Sequence, residues 1–346
     1  MKATSFALAA LTVIAASTPV RADEVADFYK GKTVYLQVGS GTGGGYDLVG
    51  RVVARHIGKH LVGNPNIVVQ NVPGGGSLKL ANQFGNTVKG DGTIFAVMSN
   101  GMPTTPLMNP EAAHFDPRKF SFLGSTSREV QVLVIWHTAP AKTLADVFTT
   151  EVIAGASSPG SATLEVPLLT NALMGTKFKV IAGYPGATDV KLAMQRGEVH
   201  SNAALAWGSA RTQYADLLKS KELRVIAQYG ARKHPDLPDV PLFPPGKTEA
   251  DQQMFDLMNA RQEYGRPFVT PPNVPAERVA ALTAAFEAVL KDKVFLAEAE
   301  KLDVEIDPVS GKDLQALTER LFKTSPEAIA RMRQLLGTKV PERSPK

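Results

Sequence analysis

Two kinds of apolar pattern alternate along the first third of this chain, and that alternation restricts the fold more than any other feature. Residues 33–38, 66–70 and 93–98 are short runs rich in Val, Ile, Leu and Phe. Residues 48–61 and 77–86 carry apolar side chains at helical spacing between them. A strand–helix–strand–helix–strand order predicts a mostly parallel sheet with helices packed on its faces. The same grammar resumes near residue 130. Residues 131–136, 152–156, 178–182 and 222–228 read as strands, and 142–148, 164–174 and 188–196 as helical. The last 70 residues or so are helix-rich, with Pro275 and Pro326 placed as helix starters.

A length of 346 residues is too great for one compact core and suits two. The reading is therefore α/β and two-lobed, of the periplasmic-binding-protein type II-like fold class, each lobe a mostly parallel sheet with a cleft between. Residues 23–128 plus 250–346 are expected to form the first lobe and 129–249 the second. Residues 234–245 hold five prolines and read as an irregular loop.

The first 22 residues differ. Lys2 gives a basic start, residues 6–16 are apolar and uncharged, and Val20-Arg21-Ala22 is a small-x-small cleavage site. This is the layout of a secretory signal peptide cut after Ala22. Its apolar run is well short of the ~20 residues that span a bilayer, and the expected location is periplasmic. The formal charge is +5, or +3 once Lys2 and Arg21 leave with the leader. The basic residues are dispersed, with no block or aromatic-interleaved stripe, which argues against nucleic acid and for mild attraction of small anions. Zero cysteines exclude thiol catalysis, cysteine metal sites and disulfides.

Three Gly- or Ser-rich loops follow strands and open helices. The first runs Thr42, Gly43, Gly44, Gly45, Tyr46, Asp47; the second ends in Gly76 and Ser77; the third holds Ser157, Ser158, Gly160, Ser161, Ala162 and Thr163. Glycine lets backbone turn tightly and approach a ligand. The unpaired N–H groups and macrodipole of each following helix favour an anion. Asp47 reads as a cap for its helix. If the lobes face each other, helix N-termini from both converge on one cleft. Such a site suits a carboxylate held by neutral donors, without a fixed cation. Each neutral hydrogen bond is worth roughly 1 kcal/mol net, so several are needed for micromolar capture.

Other chemistries fit less well. Gly39, Gly41 and Gly44 trace G-x-G-x-x-G, but the next strand ends in Gln70-Asn71, not in the acidic residue a dinucleotide ribose needs. His56 and His60 are spaced for a metal but lack a third ligand, and Arg55 and Lys59 beside them suggest a solvated helix face. Arg51 suits an anion anchor or, preferably, an ion pair between elements. No G-x-S-x-G, H-E-x-x-H or P-loop is present. No cofactor, metal or catalytic residue is expected.

Five short motifs in order resemble one known family. Gly43-Gly44-x-x-Asp47-x-x-x-Arg51 is similar to its G-G-x-x-D-x-x-A-R signature. Val69-x-Asn71-x-Pro73-Gly74-x-Gly76 is similar to V-x-N-x-P-G-x-G. Gly90-Asp91-Gly92-Thr93, Phe115-Asp116-Pro117 and Leu237-Pro238-Asp239-Val240-Pro241 resemble its P-D-G-Y-T, Y-D-P and L-P-D-V-P segments. This is the Bug-type, or tripartite tricarboxylate transporter, receptor family, and the resemblance runs from about residue 30 to about residue 310. It implies a periplasmic receptor, not an enzyme, that takes a di- or tricarboxylate or an aromatic acid and delivers it to a two-component membrane permease. A monomer is the default. The resemblance carries ligand-holding roles to Gly43, Gly44 and Asp47, and to Ser157, Ser158, Gly160, Ser161 and Thr163. Residues 73–76 and the Tyr184-x-Gly186 turn are implied as helpers.

The chain also departs from the pattern. Gly39-Ser40-Gly41-Thr42 replaces P-F-A-P, Tyr46 stands where a small residue is common, and Gly197-Glu198-Val199-His200 replaces G-Q-V-D. Tyr46 and Trp207 are candidates for stacking an aromatic ligand, or else for cleft wall or core. An exported hydrolase or isomerase, and a periplasmic sensor subunit, are the competing readings.

Overall fold

The computed structural model describes residues 20–337 apart from 44, 158–160, 185–186, 231 and 245. Residues 1–19 of the expected signal peptide lie outside the described residues. The chain begins with α1 (Val20–Tyr29), β1 (Thr33–Val38), α2 (Gly45–Ile57), β2 (Asn66–Asn71), α3 (Leu78–Asn86), β3 (Ile94–Val97), α4 (Thr105–Met108) and β4 (Ser121–Ser125). It continues through β5 (Gln131–Trp136), β6 (Val152–Gly155), α5 (Ala162–Met174), β7 (Phe178–Ile181), α6 (Ala187–Gln195), β8 (Ser201–Ala206), α7 (Trp207–Gln213), α8 (Ala215–Lys219) and β9 (Leu223–Gln228). It ends with α9 (Glu249–Tyr264), β10 (Pro267–Thr270), α10 (Ala276–Val289), α11 (Lys293–Lys301), β11 (Val309–Ser310), α12 (Gly311–Leu321) and α13 (Pro326–Leu336).

These elements build two lobes, each on its own sheet. A six-stranded sheet has the order β11-β4-β10-β3-β1-β2, and a five-stranded sheet the order β7-β6-β8-β5-β9. In the first, β1 is parallel to β2 and β3, while β10 runs antiparallel between β3 and β4. In the second, β6 is parallel to β7 and β8, and β5 runs antiparallel between β8 and β9. Both sheets are thus mixed, with reversed strands supplied by chain that enters or leaves the lobe. Residues 142–148, expected as a helix, form only a 3₁₀ turn at Ala145–Phe148.

Parallel register decides where the loops go. Val38 pairs with Asn71 and with Val97, so β1, β2 and β3 all end at one edge of the sheet. The segments 39–45, 72–77 and 98–101 leave from that edge, where open α/β sheets place their ligands. Helix α2 buries Val49, Val52, Val53, His56 and Ile57 at helical spacing on this sheet. At Gly50 an added Cβ would stand 3.0 Å from Val38 and 3.3 Å from Val97, so glycine lets α2 sit close.

The helix face expected to be solvated is instead covered. His56 and Arg55 both meet Glu298, and His60 and Lys59 both meet Asp292, which fastens α2 to α11. His56 is 7% exposed. The sequence showed the cations but not the carboxylates over 230 residues away that neutralise them.

The chain crosses from the first sheet to the second between β4 and β5 and returns between β9 and β10. These crossings are cross-linked. Tyr229 N–H donates to the Gln131 carbonyl and Glu129 N–H to that of Gln262, both at 2.9 Å. Arg128 bridges Glu263 at 2.9 Å and Asp307 at 2.8 Å. Helices α9 and α13 add a shared apolar core, with Met254, Leu257, Met258, Ala328 and Met332 packed in one cluster with residues of both sheets. Among the described residues no helix is long and apolar enough to cross a membrane.

Candidate functional site

The edges of the two sheets face each other across a cleft with three connected parts. An outer chamber of about 830 Å³ is lined by Gly75, Gly76 and residues 99–101 from the first sheet's edge and by Ser161 and Glu165 of the second. An inner notch of about 250 Å³ shares Ser99, Asn100, Ser161, Glu165 and Arg261 with it and adds Tyr46, Glu129 and Ala162. A side chamber of about 330 Å³ lies past Glu129, between Gly45 of α2 and Gly208 and Ser209 of α7.

The first-lobe wall is set by buried bonds. The Asp47 carboxylate, 2% exposed as a residue, accepts from Gly43 N–H at 2.8 Å, Asn71 Nδ2 at 2.8 Å and Arg51 Nε at 3.0 Å. Arg51 also donates to Asn71 Oδ1 at 2.9 Å, and Asn71 Nδ2 reaches the Ser40 carbonyl at 3.1 Å. Burial opposes ionisation of Asp47. The bonds from Arg51, Gly43 and Asn71 outweigh it and hold its pKa below the usual carboxylate range. Ser77 adopts a φ of 74° and its buried hydroxyl donates to the Gly39 carbonyl at 3.0 Å while accepting from Ser99 N–H at 2.8 Å. One side chain thereby joins the turn after β1, the turn after β3 and the start of α3.

Tyr46 and Asn100 occupy the middle. Tyr46 Oη accepts from Asn100 N–H at 2.9 Å, and the Arg266 guanidinium lies 4.4 Å from the ring centre. Asn100 Nδ2 donates to Glu129 at 2.7 Å, and Glu129 pairs with Arg266 at 3.2 Å. Burial works against the Arg266 charge, but Glu129 and Tyr46 more than offset it and raise its pKa. Arg261 of α9 pairs with Glu165 of α5 at 2.9 Å. The inner arginines are therefore already matched by carboxylates.

The second-lobe wall is made of hydroxyls. Thr163 Oγ1 accepts from Ser157 N–H at 3.1 Å and lies 3.0 Å from Ser157 Oγ and 3.1 Å from Ser161 Oγ. Ser161 occupies the N-cap position of α5 in extended conformation without a side-chain cap bond. Ser161 and Ala162, at the N-terminus of α5, line the notch.

No protein-family model and no curated protein matches this sequence. Solved structures do resemble it in shape. A TctC solute-binding protein from Polaromonas, without ligand, superposes with a TM-score of 0.67 at 19% identity, covering 89% of this chain and 99% of its own. The periplasmic binding protein BugD gives a TM-score of 0.60 at 19% identity, with coverage of 91% and 100%. An R. palustris protein with adipate gives 0.59 at 21% identity, with coverage of 90% and 99%. This chain has their fold. The two-lobed α/β expectation is thereby met, down to a cleft at the facing sheet edges.

The cleft gathers some of the residues singled out in the sequence and not others. Gly45, Tyr46, Gly76, Ser161 and Ala162 line it. Ser157 and Thr163 stand directly behind Ser161. Thr42 is on an exposed turn, and Gly43 spends its N–H on Asp47. Asp47 is the third residue of α2, so it reaches back to close the loop where a capping position was expected. Ser77 is buried as a joint. Arg51 is structural, but its ion pair, to Asp47, lies within α2 where one between elements was expected; only its bond to Asn71 reaches another element.

Two aromatic candidates point into the second lobe. Trp207 is 8% exposed and donates its Nε1 to Asp236 at 3.1 Å, and Tyr184 is 3% exposed in the same apolar cluster. Of the two stacking candidates, Tyr46 is in the cleft and Trp207 is core. Gly44, Ser158, Gly160 and Gly186 lie outside the described residues.

Sequence reasoning missed residues 99–101 and the charged set Glu129, Glu165, Arg261, Arg266 and Arg333. The first had a usable signal, since Ser-Asn-Gly follows the third parallel strand where ligand loops emerge. The second had none, because its members come from four distant stretches of chain.

Proposed function

We propose that this chain is an extracytoplasmic solute receptor that binds a small carboxylate between its lobes and passes it, unchanged, to a membrane permease of the tripartite tricarboxylate type. The observation that carries this reading is the N-terminus of α5, with the Ser157, Ser161 and Thr163 hydroxyls beside it, opening on a cleft whose other wall is Gly75, Gly76 and the turn at residues 99–101. A helix N-terminus with its hydroxyls replaces a carboxylate's hydration shell with neutral donors from the second lobe. The first-lobe turn, whose Ser99, Asn100 and Gly101 N–H groups bond to the Ser77, Tyr46 and Ser99 hydroxyls, shapes the facing wall. The presence of adipate in one protein of the same fold agrees with it. In this reading residues 23–128 and 250–346 form one lobe, 129–249 the other, and the two crossings act as the hinge. The protein works as a single chain in the periplasm after loss of a leader ending at Ala22.

Ligand-holding roles in this reading fall to Gly43, Gly44, Gly45, Tyr46, Gly76, Ser157, Ser158, Gly160, Ser161, Ala162 and Thr163, with Asp47 and Ser77 shaping the loops from behind. Binding orders the cleft and closes the lobes over the ligand. A thermal-shift screen of residues 23–346, stripped of co-purified ligand, tests it against mono-, di- and tricarboxylates and aromatic acids. A saturable rise in Tm for one class is expected, because ligand binds only the native state. A folded protein that no carboxylate stabilises would remove the reading.

A further inference from the structure

The outer chamber carries an arginine that the rest of the cleft does not explain. Arg333, on the last turn of α13, donates Nε to the Leu107 carbonyl at 2.7 Å, and its Nη2 reaches the same oxygen. No carboxylate among the described residues pairs with it, in contrast to Arg261–Glu165 and Arg266–Glu129 deeper in the cleft. The chamber thus holds two arginines, Arg261 and Arg333, against one carboxylate, Glu165. Its anion demand lies at the rim. The chamber's lining includes the apolar Leu78, Met108 and Leu336 beside the polar Thr105 and Asn109, with Gly75 and Gly76 adding no side chain. At about 830 Å³ the space lies in the range that buries ligands of drug size, well beyond the needs of a four-carbon acid.

We infer that Arg333 is the specificity residue of this chamber, binding the distal acid group of an elongated dianion whose apolar middle lies on Leu78, Met108 and Leu336. This rests on the receptor reading above. The proximal carboxylate lies at the N-terminus and hydroxyls of α5, and the distal one meets the guanidinium edge turned away from Leu107. The Leu107 carbonyl fixes the fork, so little side-chain entropy is lost when the ligand arrives. A charge-assisted bond at that position is stronger than a neutral one, which makes chain length and a second charge the selected properties.

The test is calorimetric titration of stripped residues 23–346 and of R333Q and R333K. The probes are unbranched α,ω-dicarboxylates of increasing chain length and the monocarboxylates of equal length. Wild type is expected to bind its best dicarboxylate about tenfold or more tighter than the matching monocarboxylate. R333Q should erase that preference and leave monocarboxylate affinity unchanged, with a modest fall in Tm from the lost Leu107 bonds, and R333K should keep part of the preference. A preference that survives in R333Q overturns the proposal. So does an equal weakening of both series, which would assign Arg333 to holding α4 through Leu107. A wild type that binds both series alike also overturns it while leaving the receptor reading intact. Binding of neither series removes the receptor reading as well.

Discussion

The loop before α2 and the loop before α5 stand on opposite lobes and are held by different chemistry. In the first lobe a buried carboxylate, Asp47, gathers a backbone N–H, an amide and a guanidinium, and Ser77 ties two turns together. In the second lobe Ser157, Ser161 and Thr163 bond largely to one another. Charge-assisted bonds are about twice as strong as neutral ones and fix geometry in advance. Hydroxyl clusters rotate and re-bond at little cost. On the proposed receptor reading this divides the labour: one wall is rigid before a ligand arrives, and the other can re-bond its hydroxyls around it.

Asp47→Ala should break the rigid wall most severely. It leaves Arg51 and Asn71 without their shared acceptor in a half-buried site, at a cost of about 3 kcal/mol, measured by denaturant unfolding. Ser77→Ala should follow, at about 2 kcal/mol, since it orphans Ser99 N–H and frees the turn at residues 99–101. Its ligand affinity should drop with its stability. Thr163→Val should have the smallest stability effect, about 1 kcal/mol or less, yet should weaken binding clearly in titration. If Thr163→Val proves as destabilising as Asp47→Ala, the two walls are equivalent and the comparison fails.

Acid sharpens the same contrast. The folded pKa of Asp47 is depressed, so its contribution is full above the unfolded value of about 4 and fades as pH falls through the folded one. Asp292 and Glu298 are lowered too. For Asp292 the first cause is its bond to Lys59, and for Glu298 its bond to His56. All three belong to α2 or clamp it. The first lobe is therefore expected to open first on acidification. Hydrogen exchange at decreasing pH should show β1 and α2 losing protection before β6 and α5. The reverse order would contradict the assignment.

Much of the fold was legible because register and period are local. Strands β1 and β5 run over the predicted residues, and Pro275 and Pro326 mark the starts of α10 and α13. The misses share a cause. Strand β8 reads Ser-Asn-Ala-Ala-Leu-Ala, a weak strand former that is extended because β5 and β6 flank it. Strand β10 opens on a proline, and β11 spans two residues, so both exist through pairing with β4. Helix α9 buries residues around most of its circumference, including Asp251, Asn259 and Gln262, so it offers no apolar stripe to read.

The site follows the same line. Its glycine and serine loops announce themselves because their residues are dictated by turn geometry and helix starts. Its charges do not, because Arg261 and Glu165 are ordinary surface residues until α9 and α5 are brought together. Trp207 could be read either way until Asp236 supplied a partner for its indole inside the lobe.

The most direct test of the central claim is a calorimetric titration of the stripped mature chain with its best carboxylate and with the matching amide. A site built from a helix N-terminus and its hydroxyls predicts saturable binding of the carboxylate and loss of at least about tenfold in affinity for the amide, roughly 1.4 kcal/mol. Equal binding of the two would contradict a carboxylate-receiving cleft.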